Sequence, residues 1–340
     1  MNHTTLAAAE ELCASDRWDD AIALLTEANR AEQDDQLERA LTDVRHRSWV
    51  QLTADTPGPQ VEPALSSPPI GPSGLPEASF DSVTSADVRA ALLKHGSLYL
   101  PNAIAPALVT KLTGIIETAL DKVLDPDDLE DHGNSVYFPL KMNRVAIDTL
   151  EEEPQALRRR FIHQSGGVLL ADSPRSMFEL LEVYEALGLR DIIQDFLGDR
   201  PVMSANKCTL RKVDPDQLGG WHQDGAFLGD HIRAINIWLA LSDCGVDAPG
   251  LDIVPTRIDH IVETGTEGAY FDWAVSDQKI EELNFDVVRP AFSAGDLMIF
   301  DEMMLHRTAT APTMTLPRHA IEFWCFAAST YPSGHIPLVW

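Results

Sequence analysis

The sequence predicts an α+β fold in which helices buttress a β-barrel or sandwich. Three observations carry that expectation. Apolar residues recur at helical spacing through most of the chain before Val202, short β-favouring runs follow it, and a proline-rich stretch sets the first helical block apart. A chain of 340 residues suits one large domain carrying an appendage.

Residues 5–48 are rich in Ala, Leu and Glu, and Asp16 stands before the run Trp18-Asp19-Asp20-Ala21-Ile22-Ala23-Leu24-Leu25 as a helix cap. Two or three short helices are expected there. The stretch AEELCASDRWDDAIALLTEA resembles one tetratricopeptide hairpin, yet no second copy follows at a period of about 34 residues. A lone unit is expected to pack on its own domain or to mediate self-association. Residues 1–52 are thus read as a helical appendage, 53–78 as a linker and 79–340 as the main domain. The linker rests on Pro57, Pro59, Pro63, Pro68, Pro69, Pro72 and Pro76, which deny regular hydrogen bonding and favour extended backbone.

The main domain opens with an amphipathic helix over 85–95, a short apolar strand over 97–100 and a helix over 105–123. A further helix covers 176–197 and stops before Gly198. Strands are expected over 208–213, 235–241, 251–254, 285–288, 297–300 and 320–326.

With 44% hydrophobic and 23% charged residues the composition is that of an ordinary globular chain. The 53 acidic against 26 basic residues give a formal charge of -27, which repels phosphate backbones and anionic lipid headgroups. Nucleic acid and membrane surfaces are therefore not expected partners. Cys13, Cys208, Cys244 and Cys325 lie far apart without a C-x-x-C pair, so reduced thiols are expected rather than a zinc knuckle or a disulfide framework. No basic start followed by an apolar run opens the chain, and no apolar stretch approaches membrane-spanning length. A cytoplasmic location is the expectation.

The strongest local signal is Trp221-His222-Gln223-Asp224-Gly225. Read as strand, His-x-Asp puts both side chains on one face, where they can grip one ion. The third candidate is His306, at the end of the apolar strand in GDLMIFDEMMLH and 84 residues downstream of His222. Two imidazoles and one carboxylate form a facial triad that leaves coordination positions open, as iron(II) oxygenases require. A hydrolytic zinc site with the same donors also leaves room for water, so the triad alone admits a metal hydrolase. Arg318, 12 residues after His306, separates the two. Its guanidinium can take the distal carboxylate of 2-oxoglutarate through two parallel hydrogen bonds, with Thr308 adding a hydroxyl donor, a pair that a hydrolase does not need.

Over residues 79–340 the chain resembles the phytanoyl-CoA dioxygenase family through WHQD, INIWLAL, APGLDIVP, GDLMIFDEMMLHRT and the arginine beyond. The resemblance implies a double-stranded β-helix (jelly-roll, cupin-like) core, Fe(II), 2-oxoglutarate and O2, and a small-molecule substrate that is hydroxylated with release of succinate and carbon dioxide. It implies His222, Asp224 and His306 as metal ligands and Arg318 with Thr308 as the cosubstrate clamp. It also puts Trp238 in the cosubstrate pocket and Thr209 near the iron-side end of 2-oxoglutarate. Because related halogenases lack the carboxylate, Asp224 favours hydroxylation, desaturation or ring formation over halogenation.

Two departures stand out. Ala248-Pro249-Gly250-Leu251 and Pro255-Thr256-Arg257-Ile258 replace the family's Asn-Gly-Cys-Leu and Pro-Gly-Ser-His stretches, so substrate identity does not transfer. Arg318 also sits one residue further from the distal histidine than the family pattern, which leaves the preceding turn to absorb the excess. Arg307, next to a ligand on a strand, should point away from the metal face. His231, His260 and His319 are expected to be structural or exposed, and residues 137–144 to form a lid. The rival readings are a non-oxidative metalloenzyme and an inactive oxygenase fold that binds partners through its N-terminal hairpin.

Overall fold

The computed structural model describes residues 2–53, 66–122, 159–217, 219–229 and 231–340. Helices α1 (Asn2–Ala14), α2 (Trp18–Ala31), α3 (Asp35–Arg47) and α4 (Trp49–Thr53) come first. Asp16 does not cap α2: it takes a left-handed conformation (φ 56°) in the tight turn after α1, and Arg17 precedes the helix without a side-chain cap. Asp34 does cap, accepting the backbone N–H groups of Gln36 and Leu37 to start α3.

Helix α5 (Ser85–His95) begins with a reciprocal capping box between Thr84 and Asp87 and ends on Gly96, whose φ of 77° turns the chain straight into β1 (Ser97–Leu100). Helix α6 (Pro106–Lys122) follows. The helix expected over 176–197 is two helices, α7 (Pro174–Ala186) and α8 (Leu189–Leu197). Gly188 between them has φ 71°, outside the helical range, and breaks the run.

The remaining strands are β2 (Gly167–Leu169), β3 (Pro201–Ser204), β4 (Thr209–Val213), β5 (Ala234–Ala240), β6 (Gly250–Ile253), β7 (Leu297–Phe300), β8 (His306–Ala309), β9 (Arg318–Ala327) and β10 (Pro337–Val339). The large sheet runs β1-β7-β5-β9-β3-β10, and β9 is long enough to pair β4 along its first half and β3 along its second on the same edge. Strands β6 and β8 form a second, smaller antiparallel sheet. The run expected as strand 285–288 reduces to one bridge, Ile253 to Val288, on the edge of that small sheet. Together the two sheets are the double-stranded β-helix.

Every residue of β5 is buried, because both faces of the large sheet are covered. On one face, α7 and α8 pack on β9 and β5; Tyr184 meets Phe323 edge-on at 5.0 Å, a contact worth about 0.5–1.5 kcal/mol beyond its buried area. On the other face, residues two apart, Asn236 and Trp238 with Glu322 and Trp324, line a cavity shared with His306 and Thr308 of the small sheet. Period-two alternation thus separates the helix-facing core from the cavity.

The N-terminal helices pack on this same body. Their apolar cluster of Leu25, Leu37, Leu41 and Val44 takes in Phe178 of α7, and Arg175 of α7 pairs with the buried Glu38 at 3.0 Å. Arg45 donates to the Val339 carbonyl at 2.8 Å and His46 Nδ1 lies 2.9 Å from that of Pro337, so α3 is tied to the edge strand β10. Among the described residues no helix is long and apolar enough to cross a membrane.

Candidate metal centre

His222 and His306 are joined backbone to backbone: each N–H donates to the other's carbonyl, at 2.9 and 3.0 Å. This bridge extends the small sheet by one residue and brings the two rings to 4.4 Å between centroids. The chain then leaves strand geometry. Asp224 has φ -60° and ψ -29° and leads into the single turn of α9 (Gly225–Leu228). Asp224 therefore reaches the same side as His222 by a strand-to-helix turn rather than by strand alternation. Gln223 points the other way, bonding the carbonyls of His260 and Met303 and the N–H of Val262. His306 likewise opens β8 instead of closing β7, with a turn over residues 301–305 between the two strands.

One ligand atom from each of His222, Asp224 and His306 lies within 4.8 Å of the others. The Nδ1 atoms of both histidines face carbonyls two residues back, Gly220 and Met304, at 2.9 Å each. A carbonyl only accepts, so Nδ1 carries the proton and Nε2 presents a lone pair to the shared centre. Burial, aided by His306, pushes His222 down to about 4, so its imidazole is neutral at neutral pH. Burial alone would raise Asp224, but Lys207 and then the two histidines hold it below the usual carboxylate range. A neutral imidazole and an ionised carboxylate are the protonation states that a divalent transition metal needs.

Lys207 was not visible from sequence. It lies in the turn between β3 and β4, and its ammonium sits 2.6 Å from Asp224 Oδ1. Asp224 Oδ2 is the oxygen facing His306, 3.8 Å from its Nε2.

The cavity beside the triad holds about 570 Å³. Arg318 lines it from the start of β9 while only 2% exposed. Its Nη1 donates to the Gly250 carbonyl at 2.9 Å, its guanidinium carbon lies 5.5 Å from the centre of the Trp238 ring, and Nε has no hydrogen-bond partner among the described residues. Burial pulls its pKa down, the mark of a cation short of compensation. The excess residue between His306 and Arg318 is taken up in the turn after β8, where the N–H groups of Thr315 and Leu316 both donate to the Asp247 carbonyl.

Thr308 and Trp238 line the cavity too, Trp238 braced by Phe292 at 4.8 Å. Thr209 is placed otherwise: its hydroxyl donates to Glu322 Oε2 at 2.8 Å, and Arg211 holds the other oxygen at 3.0 Å. Arg307 points away, pairing with Asp252 and Asp277. His319 pairs with Glu117 at 2.8 Å. The stretch 137–144 lies outside the described residues.

Sequence reasoning also missed an aromatic wall. Trp273 meets His222 at 5.3 Å and Phe227 at 5.2 Å, and stacks on Phe271 at 4.6 Å, with Phe161 and the half-exposed Tyr270 at its margin. The cluster Tyr270-Phe271-Asp272-Trp273 in an otherwise polar segment was the available signal.

A family model described as phytanoyl-CoA dioxygenase matches residues 92–320. No curated protein matches the chain by sequence. Among solved structures, EctD from S. alaskensis with 2-oxoglutarate and 5-hydroxyectoine is 18% identical, covering 82% of this chain and 86% of that chain at a TM-score of 0.51. The carbocyclase SnoK from nogalamycin biosynthesis is 16% identical over 74% of this chain and 87% of its own, at a TM-score of 0.48. EvdO2 from Micromonospora carbonacea var. aurantiaca is 16% identical over 76% and 94%, at a TM-score of 0.46. The likeness to EctD bears on the fold.

Proposed function

The chain belongs to the phytanoyl-CoA dioxygenase family of iron(II)- and 2-oxoglutarate-dependent oxygenases, and on that premise we propose that it hydroxylates a small molecule. The balanced reaction consumes the substrate, 2-oxoglutarate and O2 and yields the alcohol, succinate and carbon dioxide. Iron(II), when held, supplies the activation of dioxygen at the expense of the keto acid.

His222, Asp224 and His306 would hold the metal, the histidines through the Nε2 lone pairs and Asp224 through its carboxylate. Arg318 binds the distal carboxylate of 2-oxoglutarate, with the Thr308 hydroxyl as a second donor. Trp238 and Phe292 keep water from that end, and the Trp273 wall shields the other side of the triad. Retention of Asp224 favours hydroxylation over halogenation. Four free, buried thiols suit a reducing compartment, and we place the protein in the cytoplasm.

The observation that carries this reading is Arg318, a buried guanidinium in the triad's cavity that donates to the Gly250 carbonyl and whose Nε has no hydrogen-bond partner among the described residues. A buried cation left so is costly unless an anion completes it. Protein purified anaerobically and given iron(II), 2-oxoglutarate and O2 should release succinate. Arg318→Ala should weaken 2-oxoglutarate binding by roughly 30-fold or more, the cost of about 2 kcal/mol or above for removing one partner of a buried charge pair. Small molecules that accelerate succinate release should emerge one oxygen atom heavier, with the label of the dioxygen supplied. Unchanged 2-oxoglutarate affinity in the variant sinks the clamp; accelerated turnover without oxygen incorporation sinks hydroxylation.

A further inference from the structure

Lys207 holds one oxygen of the metal-binding carboxylate and nothing else that carries a charge within ion-pair distance among the described residues. Its ammonium lies 2.6 Å from Asp224 Oδ1, and the Phe227 and Trp324 ring centres are 4.6 and 4.9 Å away. Two aromatic faces fix the cation where water would otherwise compete for it. The backbone of the turn is set too, since the Lys207 N–H donates to the Ser204 carbonyl at 3.2 Å. Asp224 is 2% exposed, so its oxygens have little solvent to turn to. Oδ1 belongs to Lys207 and Oδ2 faces His306.

We propose that Lys207 is a positioning residue that engages Oδ1 of Asp224 and so restricts this carboxylate to a single metal-binding oxygen. Carboxylates bind metals through one or both oxygens, and the second mode would consume a coordination position that the reaction needs. A lysine suits the task because its ammonium is a compact point charge. An arginine fork matches both oxygens of a carboxylate at once and would compete with the metal for Oδ2. The proposal rests on the reading of His222, Asp224 and His306 as the iron site.

The test uses the full-length protein loaded anaerobically with iron(II) and 2-oxoglutarate and titrated with nitric oxide, a spectroscopic surrogate for dioxygen. In Lys207→Met, iron(II) should bind within about threefold of wild type or tighter, because a neighbouring cation has been removed, while nitric oxide affinity should fall by about fivefold or more, near 1 kcal/mol. Lys207→Gln, uncharged and shorter, should behave in the same way and serves if the methionine variant fails to fold. Iron(II) binding weakened tenfold or more with nitric oxide affinity unchanged would overturn the proposal, since Lys207 would then only hold Asp224 in place. No change in either quantity would overturn it as well. A wild-type protein that binds no iron(II), or whose iron gives no nitric oxide signal, would instead overturn the iron reading on which the proposal stands.

Discussion

Arg318 and Lys207 are both cations set into the wall of one cavity, and they differ in what neutralises them. Lys207 has Asp224; Arg318 has a backbone carbonyl and an aromatic face. On the proposed reading, that difference is why the external anion is given to Arg318. The two threonines divide in the same way. Thr308 opens onto the cavity, whereas Thr209 is committed to Glu322. Thr308→Val should therefore weaken 2-oxoglutarate binding by roughly 2- to 12-fold, the range for one neutral hydrogen bond. Thr209→Val should leave it within about twofold of wild type, and calorimetric titration of 2-oxoglutarate into the iron-loaded variants separates the two outcomes. The candidate triad and Arg318 could be picked out in sequence by residue type, order and spacing, and the structure brings them to one cavity. Lys207 could not be, since its role depends on a turn in one strand pair meeting a turn in another, and no local pattern records that meeting.

At the level of elements, strand positions followed from apolar runs, and β1 and β7 have the bounds that the runs predicted. What the runs could not show was the turn over residues 301–305, since Met303, Met304 and Leu305 are as apolar as the strand before them. They are buried in a turn because its polar residues are occupied. Asp301 pairs with Arg257, and Glu302 Oε2 accepts the N–H of Ala234 at 3.3 Å. Burial pushes Glu302 up to about 7 from 4.5. A raised folded-state pKa means that its contribution is whole below the unfolded value and is lost as pH climbs through the window from about 4.5 to about 7. The urea midpoint of metal-free protein should accordingly fall between pH 5 and 7 more steeply in wild type than in Glu302→Gln, and parallel curves would exclude Glu302 as the source. The loop before His222 is constrained from the other side. A Cβ on Gly219 would lie 3.0 Å from Thr308 Cβ and 3.1 Å from its backbone nitrogen. Gly219→Ala should push β8 and lower both iron(II) and 2-oxoglutarate affinity several-fold, an effect on two ligands at once that neither Thr308→Val nor Arg318→Ala should reproduce.

Across the whole molecule, the N-terminal helices bear on the oxygenase fold through its last strand. Sequence composition marked them off by the prolines that follow, and the hairpin pattern left open whether they face their own body or another chain. In the structure α3 reaches β10 through Arg45 and His46, and Arg190 of α8 donates to the Trp340 carbonyl at 2.9 Å, so arginines from two helices hold the final two carbonyls of the chain. Strand β10 is the edge of the large sheet, paired only with β3 among the described strands, and β3 is the neighbour of the central β9. Loosening the edge therefore bears on the second half of β9, which pairs β3 over residues 325–327. The two backbone contacts made by α3 are worth about 1 kcal/mol each, and for a domain of this size each kcal/mol moves Tm by roughly 2–4 °C. Deleting residues 1–53 should lower the melting temperature by about 4 °C or more, with exposure of Phe178 adding to the loss. The intact chain should melt in one transition followed by both far- and near-ultraviolet circular dichroism. Two resolved transitions, the upper one unchanged by the deletion, would show instead that the helices ride on the sheet without supporting it.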